Sequence, residues 1–412
     1  MPQLPNALRA LRHRNFRLYF TGHCISTLGT WIQQVALAWL VYRLTGSAAL
    51  LGITTCVALL PQLLVGPFAG AWIDRHDKRR LLIAVEGLLG LQALALAGLT
   101  ASGLITPTLL VAMAALLGVL NAVDTPLRQS LLSRFVDDKA DLPNALALNA
   151  MLFTLSRFIG PPLAGLLLGL VGEAVCFALN AASYLALMAG LLWVRMEPTP
   201  RATGTFRNVF GEGLDYARRD PKIRLMILSV LALNLTASSY VVLLPVFAKD
   251  IFGGDATTLG WLWGAAGLGS LLSTIVLANH GGGSALSRLI LLSSCACGLA
   301  MLAFAWSTQL PLSLAAMAVL GFGISCSNVG TNIILQSSAP EALRGRVVAL
   351  YTSTRFGFDA LGGLCAGLLA SHLGAPPVLA LGGTLLLGYC AWLLPRQQRL
   401  AQQTTAVPRN DG

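Results

Sequence analysis

The chain has 412 residues, of which 55% are hydrophobic and 11% are charged, and its formal net charge is +11. Its mean hydropathy is +0.71. Soluble domains carry about 25% charged residues, so this composition excludes a soluble globular protein of this length and indicates a protein that crosses a membrane several times.

Long apolar segments recur from one end of the chain to the other and are separated by short polar loops. Because an α-helix rises about 1.5 Å per residue, about 20 apolar residues cross the hydrocarbon core of a bilayer. Buried core helices of a soluble protein would be fewer and shorter. The sequence therefore predicts an all-α membrane protein with twelve transmembrane helices, centred near Ile32, Leu60, Leu91, Leu117, Leu155, Leu185, Leu235, Leu268, Leu299, Leu320, Leu361 and Leu385.

The distribution of basic residues predicts the orientation. The first 20 residues include several arginines and lead into an apolar stretch too long for the hydrophobic region of a signal peptide. We therefore expect the first span to stay in the mature protein. A cytoplasmic N-terminus leaves Arg43 and Lys249 at outer loops, Arg157 and Arg355 deep in spans, and the other 24 of the 28 basic residues on the inner side. Both termini are therefore predicted to be cytoplasmic, and the positive charge faces anionic lipid rather than nucleic acid.

The chain is internally repeated. Spans five and eleven each hold a glycine pair five residues apart, Gly160 with Gly165 and Gly362 with Gly367, at an offset of 202 residues. Such repeats are typical of transporters. The longest polar stretch lies between spans six and seven. The sequence thus predicts an N-terminal six-helix bundle (1–195), a cytoplasmic linker (196–222), a C-terminal six-helix bundle (223–396) and a cytoplasmic tail (397–412), with a site between the bundles.

The loop after the second span reads GAWIDRHDKRR, from Gly70 to Arg80. It is similar to the G-x-x-x-D-R-x-G-R-K signature of the major facilitator superfamily, although Asp77 replaces the loop glycine and Lys78 the first arginine. The stretches NAVDTPLRQ in span four and PEALRGRV after span ten resemble the exporter branch of that superfamily, which includes the enterobactin exporter and macrolide efflux pumps. The resemblance covers roughly residues 8–396 and implies the major facilitator fold of two six-helix bundles.

The resemblance also implies an inner gate, because the family uses this loop as a latch. Asp124 and Arg128 are four residues apart and can face each other across one helical turn. Anchoring of basic residues at the membrane interface is the alternative. The predicted gating residues are Gly70, Asp74, Arg75, Lys78, Arg79, Asp124 and Arg128.

A second motif lies in span five and is similar to a pattern associated with antiporters. Consecutive prolines remove backbone donors, and the small residues around them permit close helix packing. The stretch predicts a bend near the site, with a purely structural kink as the alternative. Its residues are Arg157, Gly160, Pro161, Ala164 and Gly165.

Ionisable side chains inside the spans are few and costly in hydrocarbon, so each is a functional candidate. Asp359 lies near the middle of span eleven and is the first candidate for proton coupling. Glu86 and Asp124 are the other candidates, with His23 as a titratable neighbour. Arg355 precedes Asp359 by one helical turn, and a structural salt bridge between these two is the alternative.

Polar residues on spans one, four, seven and ten predict substrate contacts, since these spans line the cavity in this superfamily. Hydrogen bonding between helices is the alternative for about half of the amides. Arg157 either pairs with an acid on another span or attracts an anionic substrate. The candidates for the substrate cavity are Gln33, Gln34, Asn121, Arg157, Asn234, Asn328, Asn332 and Arg355.

No nucleotide-binding, metalloprotease or serine-hydrolase motif is present, and the eight cysteines are scattered through the spans. We therefore expect no enzyme activity, no metal site and no cofactor, with a proton gradient as the energy source. Reduced cysteines that pack as small apolar residues fit this expectation.

The resemblance implies a secondary transporter of the bacterial inner membrane, a multi-pass monomer in the lipid bilayer. It would export a small molecule, a siderophore or a hydrophobic drug, by alternating access in exchange for protons. Nutrient uptake and lipid flipping by the same fold are the alternatives. A receptor or scaffold without transport is disfavoured, because isolated charges at depth would then lack a purpose.

Overall fold

The computed structural model describes residues 6–65, 72–73, 75–194, 209–279 and 284–405, and the regular secondary structure of these ranges is helical. The first helices are α1 (Arg14–Thr45), α2 (Ala48–Leu64), α3 (Lys78–Ala101), α4 (Pro107–Leu132) and α5 (Leu142–Trp193). The later helices are α6 (Val209–Arg219), α7 (Pro221–Ala237), α8 (Ser239–Val246), α9 (Ala256–Ala278), α10 (Ser284–Trp306), α11 (Leu310–Ser338), α12 (Glu341–Leu373) and α13 (Ala375–Thr405). Short helical turns lie at Asn6–Arg12, Lys139–Asp141 and Phe247–Ile251.

Ten helical stretches of the described chain are long and apolar enough to cross a membrane. Large apolar side chains such as Leu91, Leu170 and Leu385 stay exposed on them, as expected of surfaces that face lipid. Helix α2 has 17 residues and is shorter than these ten. Helix α5 has 52 residues, but Gly172 within it adopts φ 75° and ψ 177°, so the regular helical backbone is interrupted there. The preceding residues Pro161 and Pro162 keep helical backbone angles.

The side chain of Asp77, in the loop before α3, caps the start of that helix. Asp77 accepts hydrogen bonds from the backbone N–H groups of Arg79 and Arg80, at 3.0 and 3.1 Å. Those N–H groups have no partner within the helix, so Asp77 acts as an N-cap. Its φ of −67° needs no glycine. Gly70 and Asp74 of the same loop lie outside the described residues.

The chain divides into two compact units. The first unit comprises Met1–Phe206 and Leu244–Gly264, and the second comprises Arg207–Leu243 and Ala265–Gly412. Aromatic and aliphatic side chains fill the core of each unit: Phe16, Tyr19, Leu127, Phe135 and Tyr184 in the first, and Met226, Val230, Ile334, Val347 and Tyr351 in the second. The predicted boundaries at residues 195, 222 and 396 stay predictions.

Small residues of the antiporter-like motif bring segments of the first unit close together. A Cβ atom on Gly160 would lie 2.6 Å from Cβ of Trp31 in α1. One on Gly165 would lie 2.7 Å from the carbonyl oxygen of Ala256, and one on Gly260 would lie 2.6 Å from that of Pro161. Only residues without a side chain permit such close approach. The segment Leu244–Gly264 therefore packs against α5, although the sequence places it in the second half of the chain.

This packing makes a specific prediction for Gly165→Ala. The added methyl group meets backbone atoms of Ala256 and Thr257 at 2.7 and 3.0 Å, and backbone gives way less readily than a flexible side chain. Overpacking of this kind costs about 1–3 kcal/mol, so we expect a lower melting temperature of the detergent-purified protein.

Gly169→Ala is the matched control, because its methyl group meets only Oγ1 of Thr257 at 3.5 Å, an ordinary contact. Equal melting temperatures for the two variants would contradict the role of Gly165 as a contact point.

Candidate functional site

Four ionisable side chains meet inside the first unit, on three helices. Arg128 of α4 is at the centre. Its Nη2 lies 2.6 Å from Oε1 of Glu86 on α3, and its Nε donates to Oδ2 of Asp124, one turn earlier on α4, at 2.7 Å. Its Nη1 lies 2.6 Å from Nδ1 of His23 on α1. We refer to Arg128, Glu86, Asp124 and His23 as the charge cluster.

The charge cluster is shielded from solvent. Glu86 is fully buried, and His23 and Asp124 are 2% and 7% exposed. An unpaired charge in such a place is very costly, whereas paired and hydrogen-bonded charges are tolerated. Arg128 supplies several N–H donors in a planar fork, which suits it to hold several acceptors at once. The cluster therefore ties α1, α3 and α4 to a single guanidinium group.

The charges in the cluster do not balance when both acids are ionised. Arg128 carries one positive charge against two carboxylates, and His23 is neutral because its Nδ1 accepts from a guanidinium N–H. Oε2 of Glu86 and Oδ1 of Asp124 are buried, and neither accepts a hydrogen bond from the described part of the protein. The two carboxyl groups face the same guanidinium, so they repel each other when both are ionised. One added proton would neutralise the cluster and supply a missing donor.

The other predicted gating residues lie elsewhere. Arg79 donates from Nε and Nη2 to the carbonyl oxygens of Leu191 and Leu192, at 3.0 and 2.8 Å. It thus caps the end of α5, where carbonyl groups lack helical partners. Arg75 is exposed and Lys78 is half-buried at the start of α3. Of the predicted gating set, the structure brings together Asp124 and Arg128.

Asp359, the first proton-coupling candidate from the sequence, lies on α12 in the second unit and is half-buried. Arg355 is half-buried on the same helix, with its guanidinium carbon 5.4 Å from the centre of the Phe356 ring. Its Nε is buried without a hydrogen-bond partner in the described chain. Arg157 is half-buried on α5 in the first unit.

Several of the predicted cavity amides bond to other side chains of their own unit. In the first unit, Nε2 of Gln33 donates to Gln92 at 3.1 Å, and Nδ2 of Asn180 donates to Gln33 at 2.7 Å. In the second unit, Asn234 and Asn328 exchange hydrogen bonds of 3.0 and 3.2 Å. These buried contacts support the interhelical reading for Gln33, Asn234 and Asn328.

The remaining amides keep their place as substrate candidates. Gln34 is exposed on α1, and Asn121 is half-buried on α4. Asn332 is half-buried on α11 and accepts a hydrogen bond from Gln336 at 3.1 Å.

Within the described ranges, no group of three His, Cys, Asp or Glu side chains is placed to hold a metal ion, and the cysteines are free thiols.

The geometry predicts that Arg128 is essential for folding stability. Arg128→Met leaves two acids buried without a counter-charge, and breaking a buried ion pair costs about 3–5 kcal/mol. We expect a large fall in melting temperature, and a substantial recovery when Glu86→Gln and Asp124→Asn are added. Arg80→Met is the control, since Arg80 is 88% exposed. Similar melting temperatures for Arg128→Met and Arg80→Met would refute the prediction.

Comparison with known proteins gives relatives over most of the chain. It is 27% identical to the staphyloferrin A transporter of Staphylococcus aureus, over 87% of this chain and 90% of that protein. It is 30% identical to the multidrug efflux pump Tap of Mycolicibacterium fortuitum, over 90% and 93%. Identity to the enterobactin exporter EntS of Shigella flexneri is 25%, over 95% and 94%.

Solved structures share the fold. The nucleoside transporter NupG superposes with a TM-score of 0.70 at 14% identity, over 94% of this chain and 98% of NupG. A bacterial homologue of the lysosomal transporter Spinster superposes with a TM-score of 0.69 at 13% identity, over 93% and 95%. The predicted resemblance to major facilitator exporters is confirmed, and the protein is a membrane transporter rather than an enzyme. The family model for transmembrane secretion effectors matches residues 6–410, and the chain therefore belongs to that family of the major facilitator superfamily.

Proposed function

We propose that this protein is a proton-coupled secondary exporter that works by alternating access, with the charge cluster as its proton site. The observation that carries the proposal is the excess acid beside Arg128, since two carboxyl groups share one guanidinium and each has a buried oxygen without a donor. A buried acid in a membrane transporter is a common proton carrier.

Glu86 is the proton acceptor in this proposal. Asp124 accepts a hydrogen bond from Nε of Arg128, whereas Glu86 makes an ion pair with Nη2 and neither of its oxygens accepts a hydrogen bond from the described part of the protein. Glu86 is also fully buried, so its charged form is the more costly of the two. A proton on Glu86 leaves one carboxylate for one guanidinium and gives a neutral site.

Coupling follows from the helices that the cluster joins. Ionised Glu86 attracts Arg128 and so holds α3 to α4, and protonation removes most of that attraction. A ligand shifts a conformational equilibrium only through its different affinity for the two states. If the proton binds more tightly to the conformation in which α3 and α4 are held together less firmly, proton binding raises the population of that conformation. By linkage, that conformation has the higher proton affinity.

We further propose twelve membrane spans with both termini cytoplasmic, in the bacterial inner membrane. Ten helical stretches qualify by length and hydropathy. Helix α2 adds a span of about 26 Å, and Gly172 divides α5, whose length of about 78 Å is too great for one crossing of a core about 30 Å thick. The predicted bundles of residues 1–195 and 223–396, and a monomeric assembly, belong to the same proposal.

The named relatives support two substrate classes. They are described as a staphyloferrin A transporter, an enterobactin exporter and a multidrug efflux pump. We therefore propose that this protein exports a siderophore or a hydrophobic drug. Gln34, Asn121, Asn332 and Arg157 are the proposed substrate contacts, and Gln33, Asn234 and Asn328 are left out because they bond to buried amides on other helices.

The proposal is tested with purified protein in proteoliposomes under an imposed pH gradient. One catecholate siderophore and one macrolide are offered separately, with and without a protonophore. We expect gradient-driven movement of one of them, and its loss with the protonophore. Movement that is indifferent to the protonophore would overturn proton coupling.

Glu86→Gln is expected to abolish gradient-driven transport while substrate exchange at equal pH continues, because the amide cannot carry the proton but the site stays neutral. Gradient-driven transport at the normal rate in this variant would remove Glu86 from the proposal.

Asp359→Asn tests the candidate of the second unit in the same assay. We expect it to impair gradient-driven transport as well, through loss of a half-buried charge on α12. Normal transport in Asp359→Asn together with loss in Glu86→Gln would assign coupling to the charge cluster alone.

A further inference from the structure

We propose that His23 is a positioning residue of the proton site: it stays neutral, accepts a hydrogen bond from Arg128 through Nδ1, and thereby keeps the guanidinium from binding both acids fully. The inference rests on the proposed function of the charge cluster. It assigns a role to a buried histidine that is not itself the proton carrier.

The protonation state of His23 follows from its partner. Nη1 of Arg128 lies 2.6 Å from Nδ1 of His23. A guanidinium group donates and never accepts, so Nδ1 has no proton and the ring hydrogen is on Nε2. A doubly protonated ring would place two positive charges 2.6 Å apart and would lose this hydrogen bond. A proton that reaches the cluster therefore binds a carboxyl group.

Aromatic packing fixes the ring of His23 in this orientation. Tyr19, one turn earlier on α1, stacks on it at 5.1 Å between ring centres, and Phe153 of α5 contacts it edge-on at 5.5 Å. Tyr19 stacks in turn on Phe135 at 4.5 Å. Tyr19 and Phe135 are 1% and 0% exposed. The imidazole is thus one layer of a buried stack and has little room to turn away from Arg128.

Phe135, at the far end of this stack, lies in a segment that is bound to the N-terminal part of the chain. Phe135 lies in the segment between α4 and α5, and Asp141 of that segment binds the start of the chain. Oδ1 of Asp141 lies 2.7 Å from Nε of Arg9, and its Oδ2 lies 3.0 Å from Nε2 of His13. The backbone N–H of Ala10 donates to Asn144 at 2.9 Å. These contacts hold Phe135 beneath Tyr19 and so support His23.

The expected effect is on the pH dependence of transport. The charged or titratable groups that face His23 or the rest of the charge cluster are Tyr19 of α1, Glu86 of α3, Asp124 and Arg128 of α4, and Tyr184 of α5. Without His23, Nη1 of Arg128 is released to bind the acids. Stronger binding of the ionised acids disfavours protonation, so the pH of half-maximal transport should fall.

The test compares three substitutions in the proteoliposome assay, with transport rate measured against pH. Oδ1 of asparagine occupies the position of Nδ1 of histidine but does not titrate, so His23→Asn should keep the wild-type pH profile. Gln places its oxygen one bond further, near Nε2. His23→Gln and His23→Leu should shift the profile by about one pH unit toward acid, the size expected for one charge-assisted hydrogen bond.

Each outcome decides the proposal. If His23→Asn shifts the profile as much as His23→Gln, His23 does not act through the Nδ1 acceptor and the inference is wrong. If His23→Leu fails to fold, as judged by its melting temperature, the comparison of Asn with Gln remains decisive. Failure of the proposed function is distinguishable, because wild-type transport would then be indifferent to the protonophore, or Glu86→Gln would keep proton-driven transport, whatever the His23 variants do.

Discussion

The cost of burying charge in a membrane protein is the constraint on which the first unit depends. Arg128 meets that cost by binding three acceptors on three helices, and each acceptor is itself buried. The arrangement is stable only while all partners are present. It is one proton short of neutrality when both acids are ionised, and this shortage is the basis of the proposed proton site.

Close packing of small residues is the second determinant of the first unit. Gly160, Gly165 and Gly260 allow backbone segments of α1, α5 and α9 to approach within van der Waals contact. In a membrane there is little hydrophobic force between helices, so such contact supplies much of the packing energy. The antiporter-like motif thus acts by close contact, while the helical backbone is interrupted at Gly172 and not at the two prolines.

The sequence identifies candidate functional side chains, but only the structure shows which residues they contact. Glu86 and Asp124 could be selected as functional acids from the sequence, because any acid inside a span is unusual. Asp124 and Arg128 could be paired, since four residues separate them on one helix. Their contacts with His23 and Glu86 could not, because helices α1, α3 and α4 are brought together only by packing. The hydrogen-bond partners of the amides Gln33, Asn234 and Asn328 could not be predicted either, since they lie 59 to 147 residues away in the chain.

The sequence by itself determined that the chain is an all-helical membrane transporter of the major facilitator superfamily, because span length, hydropathy and loop motifs are local properties that no packing can change. Tertiary structure alone decided which of the rare charges meet, and that Leu244–Gly264 belongs to the first unit. The reason is physical: a buried charge or a bare glycine is defined by what lies across from it, and those neighbours are distant along the chain.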